Sequence, residues 1–222
     1  MNEQEIFDLL AKELKHFIYS KDNLIKSNTG DGRGESSESE ADFCKALKNY
    51  LEENSLFRVE VAPPRYWYDV VIYYEDFFLP INVKLTDGKQ ADNVSSKLGL
   101  FYALTGIRPE NVKGINYWKS YNEMLVENYN SACNADYYFI VYNKNTENIL
   151  VNSLKRINKL TPNGNNLPFQ CNWGDRENWS YSTRTKEDQC NYLMNIYIQS
   201  WKKRINLEAV APLFDWEELC SE

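Results

Sequence analysis

The stretch YDVVIYYEDFFLPINVKLTDG, from Tyr68 to Gly88, holds two short apolar runs joined by a polar turn. The runs YDVVIYY and FLPINVKL have the length and the β-branched and aromatic content of strands, and EDF between them predicts the turn of an antiparallel hairpin. Asp69 opens the first strand, and Asn82 and Lys84 stand near the end of the second. Because alternate residues of a strand share a face, we expect these three polar side chains to meet at one end of the hairpin.

The segments around the hairpin alternate between helical and strand-like spacing of their apolar residues. Helices are predicted over residues 4–18, 38–53 (with Ser37 or Ser39 as N-cap), about 95–104 and about 186–207, and weakly at NYWKSYNEMLVENYN. Further strands are predicted at LFRVEVAP, ADYYFIVYN and NILVNSL, with a short one at Phe169–Trp173. This order predicts an α/β fold in which a mixed central sheet is flanked by helices and a long C-terminal helix follows.

The composition narrows the functional class. The net charge of −7 over 222 residues argues against a protein that coats nucleic acid without sequence preference, although a single cleft can still be basic. The one histidine, His16, excludes HExxH proteases, histidine-metal nucleases and Ser-His-Asp hydrolases, since these need more histidines or better placed ones. The charged start, the lack of an 18-residue apolar run and five widely spaced cysteines predict a cytoplasmic protein with reduced thiols and no membrane segment.

The end of the hairpin has the chemistry of a site that handles phosphate. A carboxylate such as that of Asp69 can hold Mg²⁺ together with a backbone carbonyl oxygen. The ion lowers the pKa of a bound water and neutralises charge on the phosphate, and Lys84 can orient that water or stabilise the developing charge. The alternative for each residue alone is a solvated charge at a strand end or half of a surface ion pair.

The same residues resemble a known signature. YD, with NVK following at residues 82–84, is similar to the PD-(D/E)xK motif of a nuclease superfamily, with Asn82 at the second acidic position. The preceding segment ESEADFCKALKNYL supplies Glu40, similar to the helical glutamate of that superfamily. The segments VKLTDGKQADNVSSKLGLFYALTG and FQCNW…YSTRTKED extend the resemblance, which covers about Gly34 to Ile205, to orthodox type II restriction endonucleases, above all the EcoRV-like blunt cutters.

The resemblance implies a restriction-endonuclease-like core in one nuclease domain spanning 1–222. Its parts would be an N-terminal helix and mobile loop (1–37), a catalytic core (38–155) and a C-terminal region of DNA contacts and helix (156–222). It implies a Mg²⁺-dependent homodimer that cuts double-stranded DNA, leaves a 5′-phosphate and needs no nucleotide cofactor. By the same resemblance, Asp69 and the Val83 carbonyl bind Mg²⁺, Lys84 activates water, Asn82 supports metal or water, and Glu40 adds charge.

The chain departs from the superfamily at Asn82, because an amide oxygen can bind Mg²⁺ but brings no charge. Glu40 or another acid, Asp87, Asp92 or Glu38, would then supply the missing carboxylate. Two other hypotheses stay open. The protein could be a catalytically weak or inactive DNA-binding protein on a nuclease-like fold, or a non-specific or repair nuclease of the same fold.

Two amide side chains are candidates for contact with DNA bases. Gln170 and Asn172 alternate with apolar residues on the predicted strand at Phe169–Trp173. Such amides are suited to adenine in the major groove. The alternative is an ordinary polar strand face in solvent.

Two arginines are further candidates for DNA contact. Arg184 precedes the last helix and could face phosphates or base edges, while Thr183 or Thr185 beside it could simply cap that helix. Arg33 lies in the glycine-rich segment NTGDGRGESSE and could enter a minor groove. Both assignments are predictions from residue type and position.

Overall fold

The computed structural model describes residues 3–20, 34–89, 91–93 and 97–204. Within them the α-helices are α1 (Glu3–Ser20), α2 (Gly34–Asn54), α3 (Lys97–Thr105), α4 (Trp118–Glu127) and α5 (Lys186–Arg204). The strands are β1 (Arg58–Val61), β2 (Val70–Tyr74), β3 (Phe77–Thr86), β4 (Ala91–Asn93), β5 (Tyr138–Asn143), β6 (Asn148–Ser153) and β7 (Gln170–Asn172). Two short 3-10 helices lie at Pro109–Asn111 and Arg176–Trp179.

Five strands form one mixed sheet in the order β1-β2-β3-β5-β6. The central pair β3–β5 is parallel, and the other three pairs are antiparallel. The chain between β3 and β5 contains α3 and α4, which is the long connection that a parallel pair requires. The prediction of an α/β fold with a mixed sheet, flanking helices and a long C-terminal helix is confirmed.

The sheet separates two hydrophobic cores. On one face, Ile81 and Val83 of β3 pack with residues of α1 and α2, among them Phe17 and Leu47. On the other face, β5 contributes Phe139 and Val141 to a core that includes residues of α3, α4 and α5. Since both faces are covered, the central strands are apolar along most of their length, and a polar side chain within β3 is an exception that needs a partner or a function.

The outer edge of β1 is covered by two side chains of α2. Lys48 Nζ donates to the Val59 carbonyl oxygen at 2.6 Å, and Glu52 Oε1 accepts from the Val59 N–H at 3.2 Å. The same two side chains pair with each other at 2.6 Å. Backbone groups at a sheet edge that would otherwise be open are therefore bonded within the chain.

One boundary and one short strand differ from the prediction. Helix α2 begins at Gly34, so Ser37 and Ser39 lie inside it and the prediction that one of them is its N-cap is wrong. The segment TDGKQADN, for which no strand was predicted, contains β4, which pairs with β7 in a separate two-stranded sheet. Helix α3 ends at Thr105, close to the predicted end, and Gly106 after it takes a left-handed φ of 76°, which glycine adopts without strain.

Two other boundaries agree with the sequence. The predicted strand at Phe169–Trp173 contains β7, and α5 begins at Lys186 as expected. Thr185 caps α5: its hydroxyl accepts from the Asp188 N–H at 3.1 Å and donates to the Asp188 carboxylate at 2.7 Å. Among the described residues, none of the helices has the length and apolar character needed to span a membrane.

Candidate active site

The candidate site lies at the first residue of β2, beside the part of β3 that extends past it. Strand β2 begins at Val70, whereas β3 runs on to Thr86 and leaves its last residues without a β2 partner. Asp69 bonds to β3 at this point: its N–H donates to the Ile81 carbonyl oxygen at 2.9 Å, and its Oδ2 accepts from the Val83 N–H at 2.8 Å. The two bonds bracket Asn82 and fix the carboxylate against the edge of β3.

Asn82 and Lys84 share one face of β3. In the parallel pairing with β5, Asn82 lies opposite Phe139 and Lys84 lies opposite Val141, and both partners belong to the core that includes α3 and α5. Val83 itself packs in the other core. The alternation expected from the sequence is therefore observed, and both polar side chains are half-buried.

The side-chain oxygen of Asn82 is buried without a hydrogen-bond partner among the described residues. A buried carbonyl oxygen left in this state costs about 1–3 kcal/mol relative to one that is bonded. Such a group is uncommon in a folded protein, and it often marks a place where an ion or a water molecule binds. Asn82 stands between Ile81 and Val83, the two residues of β3 that bond to Asp69, and therefore offers an oxygen ligand at the hairpin end.

The surroundings of Asp69 have opposing effects on the pKa of its carboxyl group. Burial raises the pKa of its carboxyl group, and the Val83 N–H and the nearby Lys84 ammonium group lower it in part, so that the net pKa is raised. The charged carboxylate is thus disfavoured by burial. A cation bound beside it would restore the charged form, because an opposite charge within a few ångströms stabilises a carboxylate.

Glu40 lies at the same end of α2 as the buried thiol of Cys44. Burial raises the pKa of that thiol, and the negative charges of Asp69 and Glu40 raise it further, in that order. Both carboxylates therefore act on one thiol, which packs in the core on the α1–α2 side of the sheet, whereas the Asn82 and Lys84 side chains lie on the other side. Glu40 is half-buried, as a residue at the rim of such a site would be.

The other acids suggested by the sequence are less informative. Asp87 is exposed, accepts a bond from the Lys89 N–H at 2.9 Å and pairs with the Lys89 ammonium group at 3.6 Å. Asp92 lies on β4 and Glu38 on α2, but their side chains are outside the described part of the structure. Within the described residues, no group of three or more His, Cys, Asp or Glu side chains is placed to hold a metal ion.

The donor atoms at the hairpin end nevertheless suit a hard cation. Asp69 supplies a carboxylate, Asn82 an amide oxygen that lacks a partner among the described residues, and the backbone of β3 its carbonyl oxygens. Mg²⁺ prefers oxygen ligands and commonly binds through one or two carboxylates while keeping several waters. The residues present therefore fit Mg²⁺, with the single carboxylate of Asp69 as the main departure from a strongly binding site.

Gln170 and Asn172 lie on β7, in the two-stranded β4–β7 ribbon. Phe169, Cys171 and Trp173 are fully buried, while Gln170 is half-buried and Asn172 is exposed, so the predicted alternation is confirmed. The register pairs Gln170 with Asn93 and Asn172 with Ala91. The amide-bearing face of β7 therefore points away from the core.

Arg184 is held by bonds inside the protein. Its Nη1 donates to the Asn158 carbonyl oxygen and to Gln189 Oε1, both at 3.1 Å, and its guanidinium stacks on Tyr192 with 4.0 Å between Cζ and the ring centre. These contacts explain the position of the Arg184 side chain without a ligand, although the residue is exposed. A DNA contact by Arg184 stays a prediction, and Arg33 lies outside the described residues.

Two loops make a close contact at the end of β3 that was not expected from the sequence. A Cβ atom added to Gly174 would overlap with the Gly88 carbonyl oxygen, so the two backbones are in contact where side chains are absent. The Lys144 N–H also donates to the Thr86 carbonyl oxygen at 2.8 Å, and Asn145 Nδ2 to that of Asp87 at the same distance. The glycines in TDGKQ and NWGDR permit this close approach, but nothing in the sequence indicates that the two segments meet.

Comparison with known proteins adds no assignment: no protein-family model matches the chain, and a search of curated proteins found no significant relative. The fold and the site described above are therefore the basis of the functional argument. The most specific features are the fixed carboxylate of Asp69, the partnerless oxygen of Asn82 and the lysine one residue beyond Val83.

Proposed function

We propose that this protein is a type II restriction endonuclease, which hydrolyses phosphodiester bonds of double-stranded DNA at a specific sequence with Mg²⁺ and acts as a homodimer. The observation that carries the proposal is the buried oxygen of Asn82, which has no partner among the described residues and belongs to the residue between the two of β3 that bond to Asp69. The mixed sheet flanked by helices is in keeping with the nuclease superfamily that the hairpin motif resembles. Two-fold symmetry would match a palindromic site, with one strand cut by each subunit.

Asp69, Asn82 and the Val83 carbonyl would hold Mg²⁺. When bound, the ion would supply a Lewis acid that lowers the pKa of a water and neutralises charge on the phosphate. Asp69 is kept in place by its bond from the Val83 N–H, so the position of the carboxylate does not depend on the ion. Glu40 would add negative charge at the rim, which compensates for the neutral amide of Asn82.

Lys84 has a separate role in this proposal. Its positive charge acts on the Asp69 carboxyl group, which supports a position of the ammonium group close to that carboxylate. An ammonium group there can orient the attacking water and stabilise the negative charge that develops on the phosphate oxygens. Because this charge is largest in the transition state, the contribution of Lys84 should appear in the rate of cleavage more than in the affinity for DNA.

Replacement of this lysine separates catalysis from binding. We expect Lys84→Ala to lower the single-turnover rate of DNA cleavage by about 100-fold or more, while affinity for DNA, measured with Ca²⁺ in place of Mg²⁺, changes by less than a few-fold. Lys119→Ala is the matched control, because Lys119 is an exposed lysine of α4 with 83% of its side chain accessible. An equal loss of binding and cleavage in Lys84→Ala would contradict the catalytic role.

The activity itself is tested with plasmid and phage DNA in Mg²⁺ and in EDTA. Discrete Mg²⁺-dependent bands are expected. A smear would instead indicate a non-specific or repair nuclease of the same fold. Uncut DNA over many sequences would contradict the proposed activity.

A second candidate function is a DNA-binding protein on a nuclease-like fold that cleaves weakly or not at all. It is favoured by the neutral side chain of Asn82, which stands where the motif has an acid. Asn82→Asp restores that acid. If the natural chain is inactive and this variant cleaves DNA in Mg²⁺, the second function is correct, whereas an active natural chain excludes it.

A further inference from the structure

Strand β7 of the β4–β7 ribbon has one face in the core and one face outside it. Cys171, in the middle of β7, is fully buried, and so are Phe169 and Trp173 on either side of the strand. Because these three side chains are buried, the face of β7 that a partner can reach is the one with Gln170 and Asn172. On its other edge β7 pairs with Thr161 through two backbone bonds at Gln170, so a duplex would meet the exposed face of the ribbon and its side chains. A β-ribbon can be admitted to the major groove of B-DNA.

The side chains on this face have the chemistry of base recognition. An amide carries a donor and an acceptor in one plane and can bind adenine through both, an arrangement available in the major groove. Asn172 Oδ1 accepts a bond from the Gly174 N–H at 2.9 Å, which holds the side chain in one orientation. A side chain fixed in this way loses less conformational entropy when it binds.

Positive charge lies on neighbouring segments. Lys144, in the turn after β5, and Arg176, in the 3-10 helix after β7, are exposed and form no ion pair among the described residues. Two of the acids nearby are paired, Asp87 with Lys89 at 3.6 Å and Asp175 with Lys159 at 2.9 Å, whereas Glu147, in the turn with Lys144, and Glu177, next to Arg176, are exposed. Cations beside a neutral amide face match DNA, in which phosphates flank the base edges of a groove.

The ribbon is joined directly to the strand that carries Asn82 and Lys84. β4 follows β3 after only a few residues, and the loop after β7 returns to touch this connection at Gly88 and Gly174. A base held by the ribbon would therefore lie at a fixed position relative to the candidate active site. This is the geometry that a sequence-specific nuclease needs, since cleavage depends on correct placement of the scissile phosphate.

We propose that the β4–β7 ribbon is the element that reads bases in the major groove of duplex DNA, with Gln170 and Asn172 as the specificity-determining side chains. Lys144 and Arg176 contact the flanking phosphates and contribute affinity without sequence preference. This inference rests on the proposed function, because the duplex it requires is the substrate of the candidate active site.

The test is selection of bound sequences from a random duplex library in Ca²⁺, so that DNA is bound and not cut. The double variant Gln170→Ala/Asn172→Ala keeps the backbone pairing of β7 and removes both amides. The matched control is Asn195→Ala/Gln199→Ala, which removes one exposed Asn and one exposed Gln that bond to each other on α5. Circular dichroism and thermal melting establish that both variants are folded.

The wild type and the control should enrich the same motif. The double variant should lose base preference by about 5- to 100-fold at the positions that these amides read, while its affinity for unselected duplex falls by less than a few-fold. Arg176→Ala should weaken binding to all sequences alike and reduce the salt dependence of affinity. If the double variant enriches the wild-type motif with unchanged strength, the inference is wrong.

The proposed function and this inference fail in different ways. Discrete cleavage by the wild type together with an unchanged motif in the double variant overturns the inference and keeps the nuclease. A wild type that binds duplex DNA without enriching any motif also overturns the inference. A wild type that binds no duplex in Ca²⁺ and cuts none in Mg²⁺ overturns both.

Discussion

Two buried side-chain amides of this protein, those of Gln189 and Asn82, differ in their hydrogen bonding. Gln189 of α5 is fully buried, and its Nε2 donates to the Leu154 and Ile157 carbonyl oxygens at 2.9 Å each, while its Oε1 accepts from Arg184 at 3.1 Å. Asn82 of β3 has a buried side-chain oxygen with no such partner among the described residues. Both amides lie against the core that includes α5, so burial alone does not distinguish them.

The difference separates a side chain that stabilises the fold from one that, under the proposed function, binds a ligand. A buried amide with all its partners contributes to the stability of the connection it spans, here the one from β6 to α5. A buried amide that lacks a partner lowers stability, and its presence needs a reason other than folding. The raised pKa of Asp69 at the same place is a second cost to stability, since the charged carboxylate is disfavoured by burial.

The largest effect is expected for Asp69→Asn. Cleavage should fall by about 1000-fold or more, because the carboxylate that would hold Mg²⁺ is lost. The stability of the folded protein, in contrast, should increase at neutral pH. A folded-state pKa above the unfolded value means that the carboxyl group favours the fold when protonated and loses this contribution as pH rises through the folded pKa.

The neutral amide of Asp69→Asn should therefore melt at a higher temperature than the wild type at pH 7 in EDTA. This advantage should shrink as pH falls through the raised folded-state pKa of Asp69 and be lost below the unfolded pKa of an aspartate. Thermal melts across this pH range test the prediction, with single-turnover cleavage measured on the same samples. A lower melting temperature at pH 7 would show that the charged carboxylate stabilises the fold.

The next effect is expected for Gln189→Ala. It removes the Gln189 bonds to the Leu154 and Ile157 carbonyl oxygens and to Arg184, although Arg184 keeps its bond to the Asn158 carbonyl oxygen. We expect the free energy of unfolding to fall by about 2–4 kcal/mol. Urea denaturation measures this change. Cleavage below the melting temperature should keep its rate, because Gln189 has no role at the hairpin end. If Gln189→Ala lost activity without losing stability, Gln189 would not be a purely structural amide, and its contrast with Asn82 would be wrong.

The smallest change in stability is expected for Asn82→Ala. Removal of an oxygen that lacks a partner is nearly neutral, so the free energy of unfolding should change by less than about 1 kcal/mol. Cleavage should still decrease, because an oxygen ligand of the proposed metal site is gone. Denaturation and cleavage measured side by side check both parts, and a loss of stability as large as that of Gln189→Ala would show that Asn82 has an unseen structural partner.

The sequence predicted the central features of the fold because they depend on local periodicity. Alternation in β3 was enough to put Asn82 and Lys84 on one face, and the turn at Glu75 and Asp76 was marked by its polar residues. The capping of α5 by Thr185 followed from the same local rules.

The features that were missed depend on contacts between distant segments. Strand β4 has three residues, too few for a recognisable period, and exists because β7 pairs with it from about 80 residues further along the chain. The contact of Gly88 with Gly174 has the same origin. The partnerless oxygen of Asn82 could not be seen in the sequence either, since an asparagine in a strand is usually bonded once the strand is packed.

The cover of β1 by Lys48 and Glu52 has a consequence for assembly. With the Val59 N–H and carbonyl oxygen already bonded to α2, a second copy of the chain cannot add its own strand there and continue the sheet. The proposed homodimer would therefore have to join through side-chain surfaces or another edge. At high concentration, the same cover should keep neighbouring molecules from stacking strand to strand into larger aggregates.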